Sequence, residues 1–445
     1  MITFSEPSGG VAVIGGGIAG LTAAACLARA GRAVTLYEQA SALGGRARTA
    51  DHDGFRFNFG PHALYRGGPG APILRDLGVT WTGNKPPVAG YGLADGRCER
   101  LPTGLFSFLG TKLLPAAAKG ELLGLLPKLM RLDPATLDGI AVRDWLDREL
   151  RHEEVRALVA MLINVTTYSA DHARLGMGAA LVQLRLGLVQ GVTYVDGGWQ
   201  TLVDGLRRAA LIAGATIAAD THVAAVLRDP LNGAVRGVRL ADGTERTAEA
   251  AIVAAGPREA RVLVERSDET VLPSWEARAM PVRAACLDVA LRALPRPEMN
   301  PIFGVDRPLY LSVHSVAARL APAGGAVVHA MKYLRADEPS DPRDDERELL
   351  DLLDLAQQGW REQLITRRFL PKLVVSHSLV EAARGGLAGR PGPVVPGVPG
   401  LYVAGDWVGP AGMLADAALA SARRAAETIV AESVAGRGAA MAIVA

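Results

Sequence analysis

A glycine cluster set between an apolar run and an alanine-rich segment constrains this chain more than anything else in it. Val11-Ala12-Val13-Ile14 is uniformly apolar, as a strand buried on both faces requires. Gly15-Gly16-Gly17-Ile18-Ala19-Gly20 follows at once, with glycines at 15, 17 and 20. Gly15 suits a tight turn out of the strand. Gly17 lets a diphosphate approach the backbone, beside Ile18 and Ala19, and Gly20 lets a helix pack close to the strand. Residues 18–30 predict that helix, with Gly31 as its stop. Its free N–H groups and positive dipole end would face the diphosphate. A second strand over 33–37 ends at Glu38, near the offset of about 20 residues at which an acid meets a ribose. Strand, glycines, helix, strand and acid in this order predict an α/β chain with a Rossmann-like dinucleotide domain.

At 445 residues the chain is long enough for two or three domains, and 49% hydrophobic residues can fill their cores. A net charge of +2 provides no whole-protein attraction to nucleic acid. Cys26, Cys98 and Cys286 share no metal or redox spacing, which fits a reducing cytoplasm. No secretory leader is read at the N-terminus, and no run of about 18 uncharged apolar residues predicts a membrane span. The histidines show no zinc spacing, so no metal is expected, and neither a Walker loop nor a G-x-S-x-G elbow is present.

Two later segments bear on which dinucleotide. Leu43-Gly44-Gly45-Arg46 follows the acid, and Phe59-Gly60-Pro61-His62 comes soon after. Near the C-terminus, Leu401-Tyr402-Val403-Ala404-Gly405-Asp406-Trp407 precedes Gly412-Met413-Leu414 and an alanine-rich helix. With these landmarks the chain resembles the flavin superfamily of amine oxidases, protoporphyrinogen oxidase and phytoene desaturases, the last being the preferred comparison. The resemblance implies FAD, with Gly405 and Asp406 at its ribityl and diphosphate part. It also implies that the backbone near Met413 and Leu414 faces the flavin, that Gly45 and Arg46 reach the diphosphate or flavin edge, and that Val223 lies by the adenine. No cysteine follows Cys286, so non-covalent FAD is expected.

Tyr194–Trp199 resembles the family's second glycine turn. The expected division is therefore a discontinuous FAD-binding domain (1–100, 195–280 and 396–445), a helical cap (101–194) and a mixed-sheet substrate domain (281–395). Within the cap, 105–132 combines Leu, Phe and Pro with Lys112, Lys119 and Lys128. Two readings stand: an amphipathic cap helix with solvated lysines, or peripheral contact with an anionic membrane at its inner face.

The implied reaction is hydride transfer from a substrate C–H to flavin N5, on a lipophilic, isoprenoid- or polyene-like small molecule. Amine oxidation, a redox-neutral flavin-dependent isomerisation and non-catalytic FAD binding remain alternatives. His62 is a candidate proton shuttle or a cofactor contact. Lys332 invites comparison with the lysine that amine oxidases place near N5, Trp407 could stand beside the flavin, and Tyr65 and Tyr168 could line the cavity. Ser376-His377-Ser378 reads as a strand segment. Substrate, electron acceptor and oligomeric state are not specified by these features.

Overall fold

The computed structural model describes residues 10–102, 105–111 and 114–444. The leader 1–9 and Lys112 lie outside the described residues.

Two sheets organise the molecule. The first is fully parallel, in the order Thr216–Ala218, Val34–Tyr37, Val11–Ile14, Ala250–Val253, Leu401–Val403. The two glycine-bearing ends of the sequence meet here, because the first strand pairs with Ala250–Val253, which pairs with Leu401–Val403. Helices Ile18–Arg29, Gln200–Ile212 and Leu414–Val444 cover one face, packing Leu21, Leu27, Leu202, Leu206 and Leu419 against Val11, Val13 and Leu36. The other face packs Ala12, Ile14 and Val253 against an antiparallel trio, Val223–Arg228, Val235–Leu240 and Glu245–Thr247. Burial on both faces explains why these strands are uniformly apolar.

The second sheet has seven strands, in the order Leu364–Ser376, Val282–Leu291, Ala326–Leu334, Leu309–Val313, Ile302–Gly304, Tyr91–Ala94, Arg97–Arg100. The last two come from a stretch expected in the first domain. Tyr91–Ala94 pairs with Ile302–Gly304 and carries its hairpin into the second sheet. Along Ala326–Leu334 side chains alternate between faces. Val328 and Ala330 pack with Leu349 and Leu353 of helix Pro342–Ala356. Met331 and Tyr333 point the other way, with Cys286 and Tyr310. Asp341 starts the covering helix by accepting from the Arg343 N–H at 2.8 Å, a cap worth about 1 kcal/mol.

Between the sheets in sequence lie helices Leu105–Gly110, Ala116–Arg131, Val142–Glu149, Glu153–Thr167 and Met177–Arg185. They share their own core around Trp145, Met161 and Leu181. Among the described residues no helix is long and apolar enough to cross a membrane.

Candidate cofactor and active site

A cavity of about 440 Å³ runs between the two sheets. Gly15, Gly17, Ile18 and Ala19 line one end, at the carboxyl edge of the parallel strands where open α/β sheets bind ligands. Gly15 turns at φ +110°, and a Cβ there would stand 2.7 Å from the Ala254 carbonyl oxygen. A Cβ on Gly20 would fall 1.8 Å from the Gly15 carbonyl oxygen, so the helix starts as close to the strand as glycine permits. Glu38 lines the same end, with Oε2 accepting from the Gly16 N–H at 2.6 Å and Oε1 from the Ala40 N–H at 2.9 Å. The Leu43–Arg46 segment lies on the first loop, the Gly44 N–H donating to the Gly16 carbonyl at 2.8 Å. Gly44 and Gly45 both adopt positive φ.

Arg46 then crosses the cavity. It pairs with Asp406 at 2.8 Å and donates to the Val375 carbonyl at 2.8 Å. His377 Nδ1 stands 3.0 Å from the Asp406 carboxylate. Burial alone would raise the Asp406 carboxyl, but Arg46 and His377 outweigh it and hold the group well below the usual carboxylate range. Asp406 is thus a fixed anion. His377, read from sequence as mere strand, is part of this cluster; nothing in Ser-His-Ser spacing signals it.

The rest of the wall is largely apolar and aromatic. Phe59, Pro61, Leu64, Tyr65, Tyr168, Trp199, Met331, Leu373 and Leu414 line it, with His62 and Gly405. His62 meets Trp199 edge-on at 4.9 Å, and its Nδ1 lies 3.1 Å from the Gly60 carbonyl oxygen. Burial pushes its pKa down to about 4, more than the Gly60 carbonyl restores, so the ring is neutral at pH 7. Tyr65 donates to the Thr166 carbonyl at 2.6 Å, tying the wall to the helical layer. Asp416 also lines the cavity, and burial pushes its carboxyl up to about 6 against the Gly70 N–H that one oxygen accepts.

Six expected site residues stand off this wall. Lys332 follows Met331 and so faces the opposite side of the sheet, where it pairs with Asp345 at 2.9 Å and Glu348 at 2.7 Å. Trp407 is buried beside Trp275 and donates to the Ala255 carbonyl at 2.9 Å. Val223 lies in the core under the nucleotide end, and Met413 in a recess behind the wall. Gly20 and Gly60 are one layer back, Gly60 against Cys286 and Leu373. Arg390, in the same recess as Met413, had no sequence signal at all.

Residues 18–285 match the family of flavin containing amine oxidoreductases. The chain belongs to this family. A stretch of 51 residues is 57% identical to the carotenoid 3,4-desaturase of Haloarcula japonica, over 12% of this chain and 10% of that enzyme. A match of 54 residues is 44% identical to the 4,4'-diaponeurosporene oxygenase of Staphylococcus aureus, over 12% of this chain and 11% of that one. The chain thus matches about a tenth of the length of these curated relatives. Among solved structures, an oxidoreductase from Methanosarcina mazei superposes with a TM-score of 0.74 at 18% identity, over 94% of this chain and 99% of that one. Cyclohexylamine oxidase from Brevibacterium oxydans gives 0.70 at 19%, over 96% and 99%. A putative protoporphyrinogen oxidase from Exiguobacterium gives 0.68 at 20%, over 96% and 100%. These likenesses establish the fold.

As a member of the flavin containing amine oxidoreductase family, the chain is an FAD-dependent oxidoreductase. The residues present fit the cofactor. The glycine turn leaves backbone N–H groups at a helix start, Glu38 offers a carboxylate about one strand away, and the cavity continues past Asp406 to the start of helix Leu414–Val444. Gly15, Gly17 and Glu38 would hold the nucleotide, Arg46 and Asp406 the middle of the molecule, and Leu414 the flavin end. FAD, when bound, supplies the hydride acceptor. The chain's own contribution is an aromatic wall that would exclude water and a His62 ring that burial keeps neutral.

Proposed function

We propose that this oxidoreductase moves a hydride from a C–H of a lipophilic, isoprenoid- or polyene-like substrate to flavin N5. The carrying observation is the composition of the cavity beyond Asp406: Phe59, Tyr65, Tyr168, Trp199, Met331 and Leu373 provide apolar surface, and the ionisable side chains beside them include the neutral His62 and the carboxyl of Asp416. Lys332, turned to the far side of the sheet, lends no support to an amine-oxidase-like lysine in this chain. The printed names of the short curated matches, a carotenoid desaturase and a diaponeurosporene oxygenase, favour the same substrate class. Anaerobic mixing of the yellow holoenzyme with polyenes, porphyrinogens and amines tests the reading: polyenes should bleach the flavin band near 450 nm, roughly its oxidised maximum. Bleaching by amines alone would overturn it.

The helical layer supports a second element of this proposal, uptake of substrate from a membrane surface. Phe106 is 90% exposed, and Leu109, Leu123, Leu126 and Met130 are exposed as well. Exposed apolar side chains interleaved with basic residues suit the headgroup boundary. Lys128 is held by Glu149 at 2.6 Å and Lys119 by the Leu109 carbonyl at 2.6 Å, so the apolar side chains carry most of this argument. Flotation with anionic liposomes should fall when Phe106 and Leu109 become Ser; unchanged flotation would remove the membrane element.

A further inference from the structure

Arg390 lies on the return segment that leads into the last parallel strand, and it stands directly behind the cavity wall. Its Nη1 donates to the Asp406 carbonyl at 2.9 Å and its Nη2 to the Gly412 carbonyl at 2.6 Å. These carbonyls bracket the turn between strand Leu401–Val403 and helix Leu414–Val444. The neighbouring segment adds to the clasp, for the Gly409 N–H donates to the Pro391 carbonyl at 2.8 Å. The turn needs such support. Gly412 has φ +71°, and Leu414, which carries a side chain, has φ +55°. A residue with a side chain rarely adopts this backbone conformation. Asp406 and Leu414 border both the main cavity and the recess that holds Arg390, so a single layer of chain separates the guanidinium from the cavity.

The charge balance is equally specific. The Asp406 carboxylate is paired with Arg46 and His377 on its cavity side. Arg390 bonds main-chain oxygens instead and contributes a cation that, among the described residues, no carboxylate contacts directly. Burial lowers its pKa to about 10, opposed by the charge of Asp406, so it stays protonated at neutral pH. That positive charge adds to the N-terminal dipole of helix Leu414–Val444 on one side of the cavity.

We propose that Arg390 is a positioning residue that fixes the Asp406–Leu414 turn and, through its unpaired charge, favours the anionic reduced form of the bound flavin over the oxidised form. Flavin reduction adds negative charge where a fixed dipole end and a buried cation already await it. This inference holds whatever the substrate proves to be.

The test is the midpoint potential of the FAD-loaded protein, measured by equilibrium reduction against a reference dye. Arg390→Met should stabilise reduced relative to oxidised flavin about tenfold less, which is about 30 mV in potential for a two-electron couple. Arg390→Lys, which keeps the charge, should recover most of the shift. A purely structural arginine would lower thermal stability in both variants and leave the potential alone. Arg390→Gln, neutral but still able to donate one hydrogen bond, serves if the Met variant does not retain FAD. A wild-type potential in FAD-loaded Met or Gln protein would overturn the proposal, as would a Lys variant shifted as far as the neutral ones.

Discussion

Arg46 Nη1 and Asp406 Oδ2 stand 2.8 Å apart, joining the segment after the first acid to the end of the last parallel strand across the cavity. Asp406 is almost wholly buried, whereas Arg46 is partly exposed. Asp406→Asn leaves Arg46 facing His377 without its counter-charge and removes the anion that orients it across the cavity. The expected result is at least a tenfold weaker hold on FAD, read by equilibrium dialysis with flavin fluorescence. Wild-type retention of FAD would remove Asp406 from the cofactor site.

Gly20→Ala places a methyl group 1.8 Å from the Gly15 carbonyl oxygen, which only a shift of the motif helix can relieve. The helix start would move away from the parallel sheet. We expect protein that is colourless on purification or that fails to accumulate; a yellow protein of normal stability would contradict the close approach.

Lys332→Met should leave turnover within about twofold of wild type, since the side chain is on the helix-covered face of its sheet. It strands Asp345, which is 1% exposed, so stability should drop by on the order of 1–3 kcal/mol in denaturant unfolding. Flavin reduction slowed a hundredfold in this variant would instead place Lys332 in the chemistry.

Asp416 makes stability depend on pH. Its folded pKa of about 6 exceeds the unfolded value of about 3.9, so its contribution is complete below pH 4 and is lost as pH rises through 6. A gap of about two units corresponds to about 3 kcal/mol. Asp416→Asn keeps an oxygen for the Gly70 N–H and loses the charge. It should be more stable than wild type by on the order of 2–3 kcal/mol at pH 8, with little difference at pH 4. Equal stabilities at pH 8 would show that Asp416 is not held in this environment.

The fold was legible where backbone geometry dictates residue type. Only glycine fits at Gly15 and Gly20, and a strand buried on both faces must be apolar, so the first fifty residues announce their shape. The strand-like run Ala326–Leu334 was legible as well. The face on which Lys332 would emerge was not, because that depends on which side receives helix Pro342–Ala356. The hairpin Tyr91–Arg100 was assigned by position along the chain, whereas its pairing with Ile302–Gly304 is a long-range choice that local pattern does not encode. His377, Arg390 and Asp416 have no characteristic spacing. Each acquires its place from a partner far away in sequence: Asp406, Gly412 and Gly70.

Strand Leu364–Ser376 forms one edge of the second sheet, contributes Leu373 to the cavity wall, places the Val375 carbonyl on Arg46 and leads directly into His377, which faces Asp406. On the proposed reading, one strand would border both the substrate and the cofactor. Remodelling that strand to admit a bulkier molecule would loosen the grip on the nucleotide at the same time. The helical layer offers no independent route, because its own core includes Met413 and packs against Leu414 at the start of the last helix.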